Sequence, residues 1–147
     1  METKGYIIRK AVFDDLNAVH QLINELEDRI FDLEKFKLVY FKNCTHADFH
    51  YYVAEAKSKV VGFISINFQY PLHHCNRIAE IQELIVNKEH RNLKIGSALI
   101  DGAKKIAQEN NCDTLELTSR FKRLDAHRFY EREGFQKTHF KFLMKFT

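Results

Sequence analysis

Proline occurs once in these 147 residues, at Pro71, and cysteine only at Cys44, Cys75 and Cys112. Three cysteines without paired spacing exclude a disulfide scaffold and the familiar zinc patterns. No repeat, low-complexity tract or linker breaks the chain, so residues 1–147 read as one domain, long enough to bury a single core. No apolar run is long enough to span a bilayer, and no secretory h-region is present, which predicts a cytoplasmic protein with no membrane partner. Charge of neither sign dominates: 23 basic and 20 acidic residues are interspersed, for a net +3. That leaves no basic stripe for nucleic acid, although a mildly basic balance suits an anionic ligand. What the chain does have is phenylalanine, thirteen of them.

The periodicities predict an α/β protein. Tyr6 to Arg9 reads as a strand, and Asp14 or Asp15 as the cap of a helix with Leu16, Val19, Ile23 and Leu26 on one face. Asp32 to Lys42 is a second helix. His50 to Ala56 and Val60 to Tyr70 form a hairpin around Lys57-Ser58-Lys59, with Val60, Gly62, Ile64, Ile66 and Phe68 sharing a face. Thr114 to Thr118 is a short strand, and Asp125 to Glu133 a short helix stopped by Gly134. Phe135 to Thr138 and His139 to Phe146 alternate as two closing strands.

The organising stretch is Glu80 to Gln108. Glu80 to Val86 has strand character, Asn87 to Asn92 is a polar turn, and Ile95, Ala98, Leu99, Gly102, Ala103, Ile106 and Ala107 repeat at helical spacing. Strand, tight turn and helix aim unpaired N–H groups at an anion, because the first helical turn leaves its donors unsatisfied. Arg91, Gly96 and Ser97 sit where a phosphate would arrive.

HRNLKIGSAL, within this stretch, resembles the pyrophosphate loop of the GNAT N-acetyltransferases, whose pattern is Gln/Arg-x-x-Gly-x-Gly/Ala. Arg91 and Gly96 match, but Lys94 stands where the first glycine belongs and must take a conformation that glycine adopts cheaply. DAHRFYEREGF resembles the family's Ala-x-x-x-Tyr-x-x-x-Gly-Phe signature at Ala126, Tyr130, Gly134 and Phe135, with Arg123 replacing a frequent Asn. The resemblance covers the whole chain. It implies a mixed sheet of about seven strands with about four helices, and acetyl-CoA as co-substrate. The cofactor would meet Arg91, Asn92, Lys94, Ile95, Gly96 and Ser97, and the backbone N–H groups beside Leu84 and Val86.

Acetyl transfer to an amine needs a neutral amine and a protonated leaving thiolate. An alkylammonium with a pKa of about 10.4 is deprotonated in roughly one molecule per thousand at neutral pH, so a carboxylate base helps. Glu80 stands where the family's strand-4 glutamate stands, and Glu83, with opposite parity on a regular strand, should face away. Tyr130 is the acid implied by the motif, since a phenol near pKa 10 stays protonated and can donate to a thiolate.

The runs HHCNRIAEIQEL, KRLDAHRFYEREGF and THFKF are similar to the aminoalkylphosphonate N-acetyltransferases. That implies a small primary amine carrying a phosphonate, and divalent-metal dependence. His73, His74, Arg77 and Arg128 are candidate partners for the substrate's acidic end; the metal ligands are unassigned, since adjacent His73, His74 and Cys75 lack metal spacing. Polyamines, aminoglycosides and protein amines are rival acceptors, and a non-catalytic acyl-CoA-binding module is the rival class. No acidic cluster is visible in the pocket-forming segments. The phenylalanine-rich ends read either as core or as a homodimer interface.

Overall fold

Residues 5–147 are described by the computed structural model. Strands β1 (Ile7–Lys10), β2 (Phe49–Ala56), β3 (Lys59–Gln69), β4 (Ile78–Val86) and β5 (Leu115–Leu117) lie side by side in that order. β1 to β4 pair antiparallel, and β4 and β5 pair parallel. The β2–β3 turn places Lys57 and Ser58 at positive φ, 49° and 64°, the primed geometry that matches strand twist in a two-residue hairpin.

Helices α1 (Leu16–Glu27) and α2 (Leu33–Cys44) cover one face of the sheet, and α3 (Ile95–Glu109) covers the other. On the α1 side Val19, Leu22, Ile23 and Tyr40 bury Val53, Phe63 and Ile85. On the α3 side Ile95, Leu99, Ala103 and Ala107 bury Ala54, Ile64, Ile66, Ala79 and Ile81. Asp32 caps α2 by accepting from Lys35 N–H at 2.9 Å. Asp15 occupies the N-cap of α1 but makes no cap bond. Its carboxylate instead holds the Arg9 guanidinium through two 2.8 Å bonds and accepts from Val12 N–H at 2.8 Å. Helix α4 (Leu124–Arg132) follows β5.

Two bulges change the expected faces. Ala54 pairs with Gly62 but Glu55 with Val60, so Val61 is an extra residue on β3. Val60 therefore packs on the α1 side while Val61 enters the α3-side core, and the single face expected from Val60 to Phe68 is broken at its start. Likewise Ser65 pairs with Glu83 but Ile66 with Ile81, which leaves Gln82 extra on β4. An extra residue reverses parity. Glu80 and Glu83 thus share the α1 face, the opposite of the regular-strand expectation.

Among the described residues the sheet has five strands rather than about seven. The two closing strands expected over 135–146 do not form, although the alternation is real. A strand needs a ladder partner, and Gln136 to His139 contains no turn residue that would fold this segment back on itself. Among the described residues, no helix is long and apolar enough to cross a membrane.

Candidate active site

β4 and β5 pair over three residues only, Ala79 with Leu115, Glu80 with Glu116 and Ile81 with Leu117. Beyond Ile81 the bulge at Gln82 bends β4 and the strands part. The cleft so opened is lined by Gln82, Glu83 and Leu84 of β4, by Thr118, Ser119 and Arg120 after β5, by Leu26 and Glu27 at the end of α1, and by Arg123 and Tyr130. Glu83 N–H donates to Ser65 Oγ at 2.9 Å and Asn87 N–H to Val61 O at 2.8 Å, both toward β3. Backbone N–H groups alternate along a strand. Those of Leu84 and Val86 therefore face the open edge, where among the described residues no strand receives them.

At the top of β4 the chain runs through a 3-10 turn, Lys88–Leu93, capped by Asn87, whose side chain accepts from Glu89 N–H at 3.1 Å. Arg91 Nε donates to Val86 O at 3.2 Å. The Asn92 side chain lies outside the described residues. Lys94 then takes the left-handed conformation, φ 59° and ψ 25°, which costs a non-glycine residue on the order of 1–2 kcal/mol. No side chain caps α3. Its first helical bond runs from Ala98 N–H to Lys94 O at 3.2 Å, so the N–H groups of Ile95, Gly96 and Ser97 lie outside the helical ladder. A Cβ on Gly96 would meet the Phe129 ring at 3.3 Å; this glycine lets α4 pack close to the loop. The Ser97 hydroxyl is held by the Glu133 carboxylate.

Tyr130 is positioned by the end of its own helix. Gly134 has φ 102°; its N–H bonds Glu131 O at 3.1 Å, and Phe135 N–H bonds Tyr130 O at 3.0 Å. This paired closure is a Schellman motif, and it packs Phe135 edge-on against Tyr130 at 6.2 Å between ring centroids. The Tyr-x-x-x-Gly-Phe spacing is the local code for this geometry. Burial pushes the Tyr130 phenol above its usual value, opposed by the nearby Arg123 guanidinium.

Two carboxylates lie along the α1 face of β4. Glu83 lines the cleft, is held by the Ser65 hydroxyl, and has its pKa raised by burial against that hydrogen bond, with Glu27 adding to the rise. Glu80 sits lower on β4, outside the cleft lining. Its oxygens accept from Gln69 Nε2 at 3.1 Å and Gln82 Nε2 at 2.8 Å. Glu116 is its register partner on β5, and its carboxylate accepts from the Thr114 hydroxyl at 2.6 Å.

The other expected substrate residues are dispersed. His73 and His74 lie in the 3-10 turn Leu72–His74, before β4 and away from its splayed end. His74 Nδ1 is 3.3 Å from Asp113 and its Nε2 3.9 Å from Glu116. Arg77 stacks over Phe68 and Tyr70, at 5.4 and 5.8 Å. Arg128 pairs with Asp125 on the exposed side of α4. Among the described residues, no group of three or more His, Cys, Asp or Glu is arranged to hold a metal ion. Sequence reasoning missed Ser65, Glu83, Ser119, Arg120 and Arg123 as site residues. The bulge that turns Glu83 inward has no local sequence signature. Ser119 to Phe121 carry no motif, and Arg123 is marked in the sequence only as the replacement of a frequent Asn. Ser119 Oγ is buried in the cleft and has no hydrogen-bond partner among the described residues.

The fold is shared with solved proteins of low sequence identity. A transcriptional regulator from Bacillus halodurans superposes with a TM-score of 0.88 over 96% of this chain and 99% of its own, at 24% identity. Glucosamine-6-phosphate N-acetyltransferase from Arabidopsis thaliana does so at 0.83 over 99% and 100%, at 18% identity. By sequence, the chain is 41% identical over 135 residues to the aminoalkylphosphonate N-acetyltransferase of Salmonella typhimurium, covering 92% of this chain and 88% of the relative. An uncharacterized N-acetyltransferase of Archaeoglobus fulgidus is 29% identical over 136 residues, 88% and 92% of the two chains. Residues 16–135 match the acetyltransferase (GNAT) family. The chain belongs to the GNAT acetyltransferases, N-acetyltransferases that use acetyl-CoA as co-substrate.

Proposed function

We propose that this enzyme transfers the acetyl group of acetyl-CoA directly to the primary amine of a small aminoalkylphosphonate. The observation that carries the substrate is the 41% identity, over most of both chains, to an aminoalkylphosphonate N-acetyltransferase. In this reading the pyrophosphate lies on the free amides of Ile95, Gly96 and Ser97, with Arg91 and Lys94 adding positive charge and the Asn87–Leu93 turn, including Asn92, shaping the approach. The pantetheine arm takes the place of a strand against Leu84 and Val86, and the Leu84 N–H polarises the thioester carbonyl.

The amine loses its proton to the carboxylates of β4. Glu83 is the nearer acceptor by its place in the cleft, and Glu80, further down the same face, holds the incoming ammonium. The amine nitrogen attacks the carbonyl carbon, the C–S bond breaks, Tyr130 O–H protonates the departing thiolate, and the second proton lost by the nitrogen restores the phenol. Arg120 and Arg123 line the cleft and are the candidate cations for a phosphonate; Arg120 is paired with Glu27 at 2.6 Å, so Arg123 is the less engaged of the two. His73, His74, Arg77 and Arg128 are left without an assigned role, and because no three-ligand cluster stands among the described residues, the steps proposed use side chains alone.

One observation favours a second acceptor. Glu80 and Glu83 share the α1 face of β4 and would suit a second ammonium, as in a polyamine. The test compares kcat/KM for aminoethylphosphonate, its carboxylate analogue, ethanolamine and spermidine, read as thiol released from acetyl-CoA. The phosphonate is expected to exceed ethanolamine by at least tenfold. Equal or faster turnover of spermidine would replace the phosphonate by a polyamine, and thiol release with none of a broad amine panel would leave a binding module.

A further inference from the structure

Helix α1 ends against its own dipole. Its last turn carries Glu25 and Glu27 and no basic residue, although the C-terminal end of a helix disfavours negative charge. Local rules are broken in this way at functional sites. Both carboxylates are matched from elsewhere in the chain. Glu27 accepts from Arg120 Nη2 at 2.6 Å, and Glu25 Oε1 lies 3.8 Å from Arg91 Nη2. The first of these pairs joins two walls of the cleft, the end of α1 and the connector after β5. Glu27 also adds to the rise in the Glu83 pKa, so the pair stands close to that carboxylate.

We propose that Glu27 is a resident anion on Arg120 that the acidic group of the acceptor displaces, so that Arg120 passes from carboxylate to phosphonate as substrate enters. This exchange presupposes the phosphonate acceptor proposed above. The pair is cheap to open, because 71% of the Arg120 side chain is in water and exposed ion pairs contribute little. The incoming ligand is the stronger partner, since a phosphonate offers the planar guanidinium more oxygens and more negative charge than a carboxylate does. Only the side chain has to move. Arg120 O accepts from Arg123 N–H at 3.0 Å and from His127 Nε2 at 2.8 Å, which pins the backbone at this point. A neutral or cationic amine brings no anion and leaves the pair closed. Glu27 thus selects which acceptors gain from Arg120: those whose acidic group outcompetes a carboxylate.

The experiment measures the affinity of the full chain for ethylphosphonate, which has the acidic group but no amine to react. Glu27→Gln frees Arg120 and should bind it about fivefold more tightly than wild type. Arg120→Gln should bind it roughly tenfold more weakly. Within Arg120→Gln, adding Glu27→Gln should gain about twofold or less, because only direct repulsion is then relieved. The KM of Glu27→Gln for ethanolamine should stay level or rise. Far-ultraviolet spectra and Tm are the folding controls for all three variants. Ethylphosphonate binding that is absent, unchanged or weaker in Glu27→Gln overturns the exchange. So does an equal gain in both backgrounds, because Glu27 then acts without Arg120, and so does an ethanolamine KM that falls in step, because the cleft has then merely opened. The wild-type acceptor panel separates the two proposals. Preference for the phosphonate with no gain in Glu27→Gln sinks the exchange alone, whereas preference for spermidine sinks the phosphonate reading and the exchange with it.

Discussion

Ser65 and Glu83 hold each other twice across β3 and β4: Glu83 N–H donates to Ser65 Oγ at 2.9 Å, and that hydroxyl donates to the Glu83 carboxylate. Ser65 is 1% exposed. A buried hydroxyl spent on both the backbone and the side chain of one residue fixes the bulge at Gln82 and with it the mouth of the cleft.

Glu83 is the carboxylate whose loss should matter most. Glu83→Gln is expected to lower kcat/KM at neutral pH by roughly 10²-fold and to recover as rising pH deprotonates the amine unaided. Glu80→Gln should mainly raise KM for the amine. Stability moves the other way. Burial raises the Glu83 pKa, so its ionisation in the folded state is disfavoured, and wild type loses stability as pH rises from the ordinary carboxyl range through the raised pKa. Glu83→Gln should therefore show the higher Tm at pH 7, with the gap closing toward pH 4. A lower Tm at pH 7, or a pH–rate profile parallel to wild type, would remove Glu83 from this role.

Much of the frame is legible in the sequence because its signals are local. The α3 stripe, the Asp32 cap and the Gly134 stop each follow from a few adjacent residues. The loop from Arg91 to Gly96 and the surroundings of Tyr130 are legible as motifs, and the Schellman closure explains why the spacing of Tyr130, Gly134 and Phe135 is informative. The α1-face carboxylates are not legible, because two single-residue bulges reverse parity on β3 and β4. Nor is the state of the tail. Alternation from Phe140 to Phe146 states a preference for a strand, while pairing depends on an edge elsewhere.

Tyr130→Phe removes one oxygen while leaving the ring that packs on Phe135. It should lower kcat by roughly 10²-fold with little change in acetyl-CoA affinity. Gly134→Ala tests the closure behind it: a φ of 102° strains any side chain, so Tm should fall. Full kcat in Tyr130→Phe would assign proton delivery to another group or to water.

Lys94 separates shape from charge in the cofactor loop. Asn tolerates the left-handed conformation without charge, and Asp tolerates it with the opposite charge. Lys94→Asn should bind acetyl-CoA within about threefold of wild type, whereas Lys94→Asp should bind at least tenfold more weakly. Salt should narrow that gap, since the loop is exposed. Calorimetry gives both numbers, and equal affinity in the two variants would place the pyrophosphate away from this turn.

Asp15 anchors the start of the fold and should set its behaviour in acid. Its side chain is 7% exposed and carries a bidentate bond to Arg9, which also bonds Glu55 at 2.9 Å. Burial alone would raise the Asp15 pKa, but the Arg9 bonds and the Val12 N–H outweigh it, and the net shift is downward. A lowered pKa contributes stability that is present above the ordinary carboxyl range and disappears as pH falls through the lowered value. Removing one partner of a buried pair costs about 3–5 kcal/mol. Arg9 keeps 32% of its side chain in water, which reduces the expected loss for Asp15→Asn to about 2–3 kcal/mol. At roughly 2–4 °C per kcal/mol for a chain of this size, Tm should fall by about 4–12 °C at pH 7. Thermal unfolding from pH 7 to pH 2 checks both size and sign. The gap between variant and wild type should hold down to about pH 4 and narrow below it; a gap independent of pH would mean that Asp15 contributes packing and hydrogen bonds but not its charge.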